Sequence, residues 1–290
     1  MADSGKLYLV ATPIGNLGDM SARAVEVLEN ADLIAAEDTR NTLRLLNHFG
    51  IRTPLTSYHE YNRIEKAQEL CGRMLEGMSV ALVTDAGMPA ISDPGEDLVR
   101  MSHDAGIEVT IVPGPCAAVS ALALSGLPTR RFCFEGFLPT DKKELAQVLE
   151  ELKDETRTMI LYEAPHRLSK TLGLLAETLG ADRKLSVVRE ITKLHEEVLR
   201  LTLGGAAEKY EKDAPKGEFV LIIEGRSRKE LEAAERSIWQ DISVKDHVAM
   251  YEEKGMDRKE AMKMAAKDRG TGKREIYRAM LEEENEGTED

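Results

Sequence analysis

Residues 85–95, Asp85-Ala-Gly-Met-Pro-Ala-Ile-Ser-Asp-Pro-Gly95, follow an apolar run at 79–83 and lead into a helical pattern at 94–105. A strand that empties into a long Gly/Pro-rich loop before a helix is the unit of an open α/β sheet, where ligands bind outside the carboxyl ends of strands. Two more such loops flank it in the chain. Thr12-Pro-Ile-Gly-Asn-Leu-Gly-Asp19 follows the apolar run at 6–11, and Pro113-Gly-Pro-Cys-Ala117 follows the run at 108–112. One loop of this kind is ordinary turn chemistry. Three at the ends of apolar strands predict a shared rim, with glycine letting the backbone approach a ligand closely.

Working outward, strands and helices alternate. Ser21 caps a helix to about residue 30, 32–36 reads as a strand, and 39–49 as a helix stopped by Gly50. A helix at 63–76 precedes the 79–83 strand. This repetition predicts a mainly parallel sheet covered by helices. After the 113–115 hinge and a small-residue helix, strands are expected at 132–135, 158–162, 184–189, 197–201 and 219–224, with helices at 142–152, 165–179 and 203–210. Residues 225–241 read as a polar helical linker. Ser243-Val-Lys-Asp246 and Asp257-Arg-Lys-Glu260 then resemble capping boxes, and Gly255, Gly270 and Gly272 break the helices that they start. The expected division is 1–115 and 116–228 as two α/β domains, 240–284 as a small helix-turn-helix-like module, and 285–290 as an acidic tail.

The 290 residues are 42% hydrophobic, enough for ordinary cores. No window approaches the roughly 18 consecutive apolar residues of a membrane helix, and residues 1–6 lack the pattern of a signal peptide. Cys71, Cys116 and Cys133 are odd in number and far apart, which argues against a disulfide framework or a zinc site and fits a reducing cytosol. Asp93, Asp97 and Asp104 are too helix-bound and too scattered for a metal site. The net charge of -13 sits poorly with phosphate binding. However, residues 243–279 carry ten Lys or Arg against seven Asp or Glu, whereas 280–290 hold six acids and no base. The sequence has no G-x-x-x-x-G-K-[ST] and no G-x-G-x-x-G first loop, which argues against phosphoryl transfer, dinucleotide binding and a class I methyltransferase.

The three loops, together with Leu161-Tyr-Glu-Ala-Pro-His-Arg167, Arg189-Glu-Ile-Thr-Lys193 and Gly217-Glu-Phe-Val220, resemble the tetrapyrrole-methylase family over about residues 6–224. Pro13-Ile-Gly-Asn16, Glu37-Asp-Thr-Arg40 and the 85–95 loop resemble its ribosomal RNA branch. The resemblance implies two α/β domains with S-adenosylmethionine in the cleft between them. Asp85, Ala86, Gly87, Ala90 and Ile91 are expected to line the donor, Cys116 and Ala117 to meet it from the hinge, and Tyr162 and Glu163 to approach from the second domain with Glu190. Pro13 and Ile14 are expected to face the reacting methyl or the substrate. It also implies 2′-O-methylation of a decoding-centre cytidine, cytidine 1402 of 16S ribosomal RNA, within the 30S subunit, by a cytoplasmic homodimer with no membrane partner.

Methyl transfer from a sulfonium to a ribose hydroxyl is an in-line displacement that needs alignment and proton removal, but no metal. Candidate bases are Glu190, Lys193 and His166; the Glu190/Lys193 spacing equally suits an i,i+3 ion pair. Arg40, Arg167, Arg189 and Lys193 are candidate phosphate contacts, since guanidinium forks match phosphate, although exposed arginines are commonly just solvated. Tyr58, His59 and Tyr61 are candidates for stacking on unpaired bases or for anchoring their loop. Two other functions remain open at this level: a methyltransferase for a small tetrapyrrole or corrinoid, and a regulatory RNA-binding protein that senses the donor.

Overall fold

The computed structural model describes residues 5–212, 215–239 and 241–286. The first half is β1 (Lys6–Val10), α1 (Ala22–Asn30), β2 (Leu33–Ala36), α2 (Thr39–Phe49), β3 (Leu55–Ser57), α3 (Arg63–Leu75), β4 (Val80–Val83), α4 (Gly95–Asp104) and β5 (Glu108–Val112). Its five strands form one parallel sheet in the order β3-β2-β4-β1-β5. Two adjacent inner strands, Leu-Ile-Ala-Ala in β2 and Val-Ala-Leu-Val in β4, are buried at every position. That is the pattern of a parallel sheet covered on both faces. One face carries Leu7, Leu9, Leu70, Met74 and Leu98; the other carries Val10, Leu28, Ile34, Leu46 and Val83. β3 was not expected from the sequence: three residues beside Pro54 are too few to show an alternation.

Local rules set the helix ends. Ser21 Oγ accepts from Ala24 N at 3.1 Å, Asp38 caps α2 through Arg40 N, and Gly50 closes α2 at a left-handed φ of 75°.

The second half continues with α5 (Ala117–Ser125), β6 (Phe132–Phe137), α6 (Lys142–Lys153), β7 (Thr158–Glu163), α7 (Pro165–Leu179), β8 (Lys184–Arg189), β9 (Glu197–Thr202), α8 (Leu203–Lys212) and β10 (Phe219–Ile223). Its sheet runs β6-β7-β10-β8-β9 and is mixed. β6 and β7 are parallel, and β10 is antiparallel to both of its neighbours. Its outer core packs Leu161, Leu172, Leu175, Val187 and Leu221 against α6, α7 and α8. The opposite face packs Ile160, Val188, Val220 and Ile222 on Ala121 and Leu122 of α5 and on Ile14 of the first loop. The two sheets thus belong to one compact unit, residues 1–152 with 157–224.

A second unit holds residues 153–156 and 225–290, with α9 (Arg228–Ile238), α10 (Val244–Glu253), α11 (Arg258–Asp268) and α12 (Lys273–Glu286). Val248, Ala261, Ala265, Ile276 and Met280 form its core. His247 is fully buried there, stacked on Trp239 at 3.8 Å, and accepts from Arg269 Nε on Nδ1 at 3.1 Å. Of the expected tail, Asn285 and Glu286 end α12; residues 287–290 lie outside the described residues. No described helix is long and apolar enough to cross a membrane, and all three cysteines are free.

Candidate active site

The three Gly/Pro loops meet at Gly87. Thr12 and Gly87 exchange both backbone hydrogen bonds, Thr12 N to Gly87 O at 2.9 Å and Gly87 N to Thr12 O at 3.1 Å. Gly87 takes a left-handed φ of 90°, and a Cβ there would stand 3.2 Å from Ile14 Cγ2 and 3.5 Å from Pro115 O. So the first, second and third loops touch one glycine, and only glycine tolerates both that φ and that crowding.

Four non-glycine residues among the described ones have positive φ: Ala90 (66°), Ser92 (64°), Glu190 (51°) and Thr192 (65°). They fall in just two loops, one from each sheet, on either side of the same cleft. Backbone strain of about 1–3 kcal/mol per residue persists only where surroundings enforce it, and it clusters at functional sites. Asp93 does the enforcing in the first loop: its Oδ1 accepts from Ala90 N at 2.9 Å and from Gly95 N at 2.7 Å. Its Oδ2 is buried without a partner. Burial pushes the Asp93 carboxyl up, against the backbone N–H groups of Gly95, Ala90 and Ile91. In the second loop, Glu190 Oε1 accepts from Glu218 N and Lys193 Nζ, each at 2.9 Å, and Lys193 Nζ also reaches Glu218 Oε2 at 2.9 Å.

Between the loops lies a cleft of about 430 Å³, within the usual range for small-molecule sites. Ile14, Ile91, Phe137, Val188 and Val220 give it apolar walls. Glu37, Asp85, Asp93, Glu163 and Glu218 also line it, and among the described residues no Lys, Arg or His does. Glu163 is ion-paired with Arg167 at 3.5 Å and Glu218 with Lys193 at 2.9 Å. Glu37, Asp85 and Asp93 have no such partner among the described residues, and in an apolar-walled cleft they create a field that favours a cation. Burial pushes the Glu37 carboxyl up, opposed by the hydrogen bond from Thr84 Oγ1 at 3.2 Å. Asp85 is tied down on both oxygens, by Asp38 N at 3.1 Å and Asn41 Nδ2 at 3.2 Å. Glu163 is 2% exposed; Thr171 Oγ1 donates to its Oε2 at 2.5 Å and Ala164 N to its Oε1 at 2.8 Å. Tyr162 Oη accepts from Ala118 N at 3.1 Å, so a side chain of β7 caps α5, whose own first residues offer no cap. Among the described residues no cluster of His, Cys, Asp or Glu is arranged to hold a metal ion.

The family model for tetrapyrrole (corrin/porphyrin) methylases matches residues 6–207. The chain belongs to the tetrapyrrole methylase family. Proteins named ribosomal RNA small subunit methyltransferase I are similar to it along nearly the whole chain. The one from Synechocystis is 48% identical, covering 98% of this chain and 100% of its own. That of Halalkalibacterium halodurans is 51% identical, covering 95% and 94%, and that of Escherichia coli O157:H7 42%, covering 97% and 96%. Among solved structures, the uroporphyrin-III-C-methyltransferase of Thermus thermophilus superposes with a TM-score of 0.55 at 22% identity, over 76% of this chain and 94% of that one. A diphthine synthase gives 0.60 at 15%, over 77% and 91%. Both likenesses show the fold alone.

Tetrapyrrole methylases use S-adenosylmethionine, and the residues present fit it. The donor carries a sulfonium and an ammonium; the cleft offers carboxylates, apolar walls and, at Asp93 Oδ2, a buried acceptor still lacking a hydrogen bond. Of the residues expected to hold the donor, Ile14, Asp85, Ala86, Gly87, Ile91, Cys116, Ala117, Tyr162 and Glu163 line this cleft. Pro13 borders a neighbouring cavity instead, and Ala90 turns its N–H to Asp93.

The expected bases fall outside the cleft lining. Glu190 and Lys193 form the anticipated i,i+3 ion pair, joined by Glu218. Partial burial alone would raise the Glu190 carboxyl, but hydrogen bonds from Lys193 and Glu218 N, with the Lys193 and Arg189 charges, outweigh it and hold it below its ordinary value. Partial burial likewise works against the Lys193 ammonium, yet Glu218 and Glu190 raise it above its ordinary value. Lys193 is therefore a persistent cation, unsuited to accept a proton. His166 is exposed in the first turn of α7.

Most of the expected RNA contacts are engaged within the protein. Arg40 is exposed and clasped by Asp38 at 3.1 and 2.7 Å. Arg167 donates to Leu138 O at 2.7 Å, and Arg189 to Lys216 O at 2.6 Å. Tyr58 is 1% exposed and donates to Pro94 O at 2.9 Å, so its ring has no face open to a base; the anchoring role holds for it. His59 is half-buried beside Tyr61, which is 96% exposed.

Asp93 and Glu218 were not anticipated. Asp93 looked helix-bound, but α4 starts two residues later. Glu218 sits in the 217–220 segment that carried the resemblance, and what draws it to the cleft is Lys193, 25 residues away.

Proposed function

We propose that this chain transfers a methyl group from S-adenosylmethionine to small-subunit ribosomal RNA. One observation carries the reading: the three strand-end loops close on Gly87 over a cleft lined by five carboxylates and, among the described residues, no cationic side chain, a match to a cationic donor. Near-full-length similarity to ribosomal RNA small subunit methyltransferase I supports the RNA substrate. The finer reading is the 2′-hydroxyl of a decoding-centre cytidine, in an assembled 30S subunit, modified by a cytoplasmic homodimer.

Bound S-adenosylmethionine supplies an electrophilic methyl whose departure leaves a neutral thioether. The remainder falls to the protein. Asp85, Asp93 and Glu163 hold the donor's polar groups, while Ile14 and Val220 exclude water. As the ribose oxygen–carbon bond forms and the sulfur–carbon bond breaks, the hydroxyl proton passes to a carboxylate. Glu218 is the carboxylate that both lines the cleft and is held by Lys193, so we assign it the base role and give Lys193 and Glu190 its positioning. Alignment of this kind is worth effective molarities of about 10⁵–10⁸ M in favourable cases. We propose domain limits of 1–115 and 116–228, with a helical module at 240–284; two separate sheets and a separate helical unit support this.

The test is incubation of the protein with methyl-labelled donor and either small ribosomal subunits or a tetrapyrrole. Label in the RNA, recovered as a 2′-O-methylated ribose, is the expected result. Label in the tetrapyrrole alone overturns the RNA reading, and donor binding with no transfer to any ribosomal substrate replaces it with a sensing role.

A further inference from the structure

A second cavity, of about 300 Å³, abuts the donor cleft and shares Thr84 and Asp85 with it. The first loop is the partition. Ile14 faces the donor cleft, whereas Thr12, Pro13 and Gly15 face the second cavity. The far wall belongs to α2 and carries Asn41, Arg44 and His48. The two cavities thus differ in charge: among the described residues one has five carboxylates and no cationic side chain, while the other adds an arginine and a histidine to Asp85, whose oxygens already accept from Asp38 N and Asn41 Nδ2.

This wall belongs to a stretch that departs from the rest of the chain. The protein has 52 acids against 39 Lys and Arg, yet residues 39–59 contain Arg40, Arg44, Arg52, His48 and His59 and no acid at all. Asn41, Arg44, Asn47, His48 and Arg52 are exposed. Arg40 is occupied by Asp38; Arg44 is in no ion pair among the described residues. A polyanion approaching a protein of net charge -13 needs such a local relief of negative potential.

We infer that the second cavity is the subsite of the target ribonucleotide, with Arg44 and His48 meeting its backbone phosphate and Pro13 standing where its ribose crosses to the donor. The occupant is a single unpaired nucleotide of RNA. The cavity is at the lower end of small-ligand sizes, and a base must leave its stack for an enzyme to enclose the nucleotide. This rests on the function proposed above and names where its substrate binds.

The experiment compares wild type with Arg44→Ala/His48→Ala and with a control, Lys143→Ala, removing an exposed lysine of α6. Three quantities are read: S-adenosylmethionine affinity by calorimetry, retention of small ribosomal subunits on filters across a salt series, and methyl transfer. The double variant is expected to keep donor affinity within twofold and to lose at least tenfold in subunit binding and in kcat/KM. Its plot of log affinity against log salt becomes shallower by about 0.7–0.9 for each phosphate contact removed. The control is expected to match wild type. A double variant that binds and methylates subunits like wild type at every salt overturns the subsite while leaving the proposed function intact. A wild type that binds donor but neither retains nor methylates subunits overturns the function, and the subsite with it.

Discussion

Lys193 lies across Gly15: a Cβ on Gly15 would stand 2.4 Å from Lys193 Cγ, closer than atoms of a folded protein approach. The first loop of one sheet and the strained 190–193 loop of the other are thus in contact beside the donor cleft. Gly15→Ala must push the lysine stem away, which strains its ion pairs with Glu190 and Glu218. Overpacking of this kind costs about 1–3 kcal/mol. The variant is expected to melt a few degrees lower and to lose at least tenfold in methyl transfer, measured by calorimetry and label incorporation. Unchanged turnover would show that the contact is incidental.

The Glu190–Lys193–Glu218 cluster predicts a pH signature. The native Glu190 carboxyl lies below its ordinary value of 4.5. A depressed carboxyl contributes stability that is complete above the unfolded value and is lost as pH falls through the folded one. The difference in melting temperature between wild type and Glu190→Gln is therefore expected to be full at neutral pH and to shrink as pH drops below 4.5. A difference that is constant with pH would mean that the carboxylate is not engaged as described.

Glu163 is buried in the cleft wall and depends on Thr171 Oγ1. Thr171→Val keeps the shape and removes the donor, leaving one carboxylate oxygen short of a partner. The cost of such an unsatisfied buried group is about 1–3 kcal/mol. Denaturant unfolding is expected to show this loss, with weaker donor binding by calorimetry. A neutral substitution would count against Glu163 as a fixed anion of the site.

Tyr162 caps α5 from the neighbouring sheet. Tyr162→Phe retains the ring against Phe134 and Phe137 but frees Ala118 N. Loss of a cap costs about 0.5–2 kcal/mol. We expect a destabilisation in that range and a several-fold drop in donor affinity, because α5 begins at the third loop. The hydroxyl, pushed up to about 12 by burial, with the nearby Cys116 contributing, gives no titration of its own near neutrality, so the deficit is expected to be flat across that range.

The fold was legible because β1, β4 and β5 are apolar runs ended by loops rich in Gly and Pro, and because Ser21 and Gly50 punctuate the helices. What sequence does not display is pairing. Phe219–Ile223 reads as a buried strand whichever way it runs, and its antiparallel place between β7 and β8 follows from the tertiary fold. The cleft lining was legible where a loop brings its own signature: Ile14, Asp85 to Gly87, Cys116 and Ala117 all line it. It was illegible where a role depends on a distant partner. Tyr58 could be read either as a stacking platform or as a loop anchor, and its hydrogen bond to Pro94 O favours the anchor. Lys193 looked like a base until two carboxylates fixed its proton. Glu218 lay in a segment that carried the resemblance, but its tie to Lys193 could not be read from the sequence.

A crystal structure of the protein grown with S-adenosylmethionine tests the central claim most directly. The account predicts the donor between the 85–93 loop and the Tyr162–Glu163 and Val220 wall, with Asp93 Oδ2 gaining a hydrogen bond and the methyl directed toward the first loop beside Pro13. A donor bound elsewhere, or a cleft left empty at saturating donor, would contradict it.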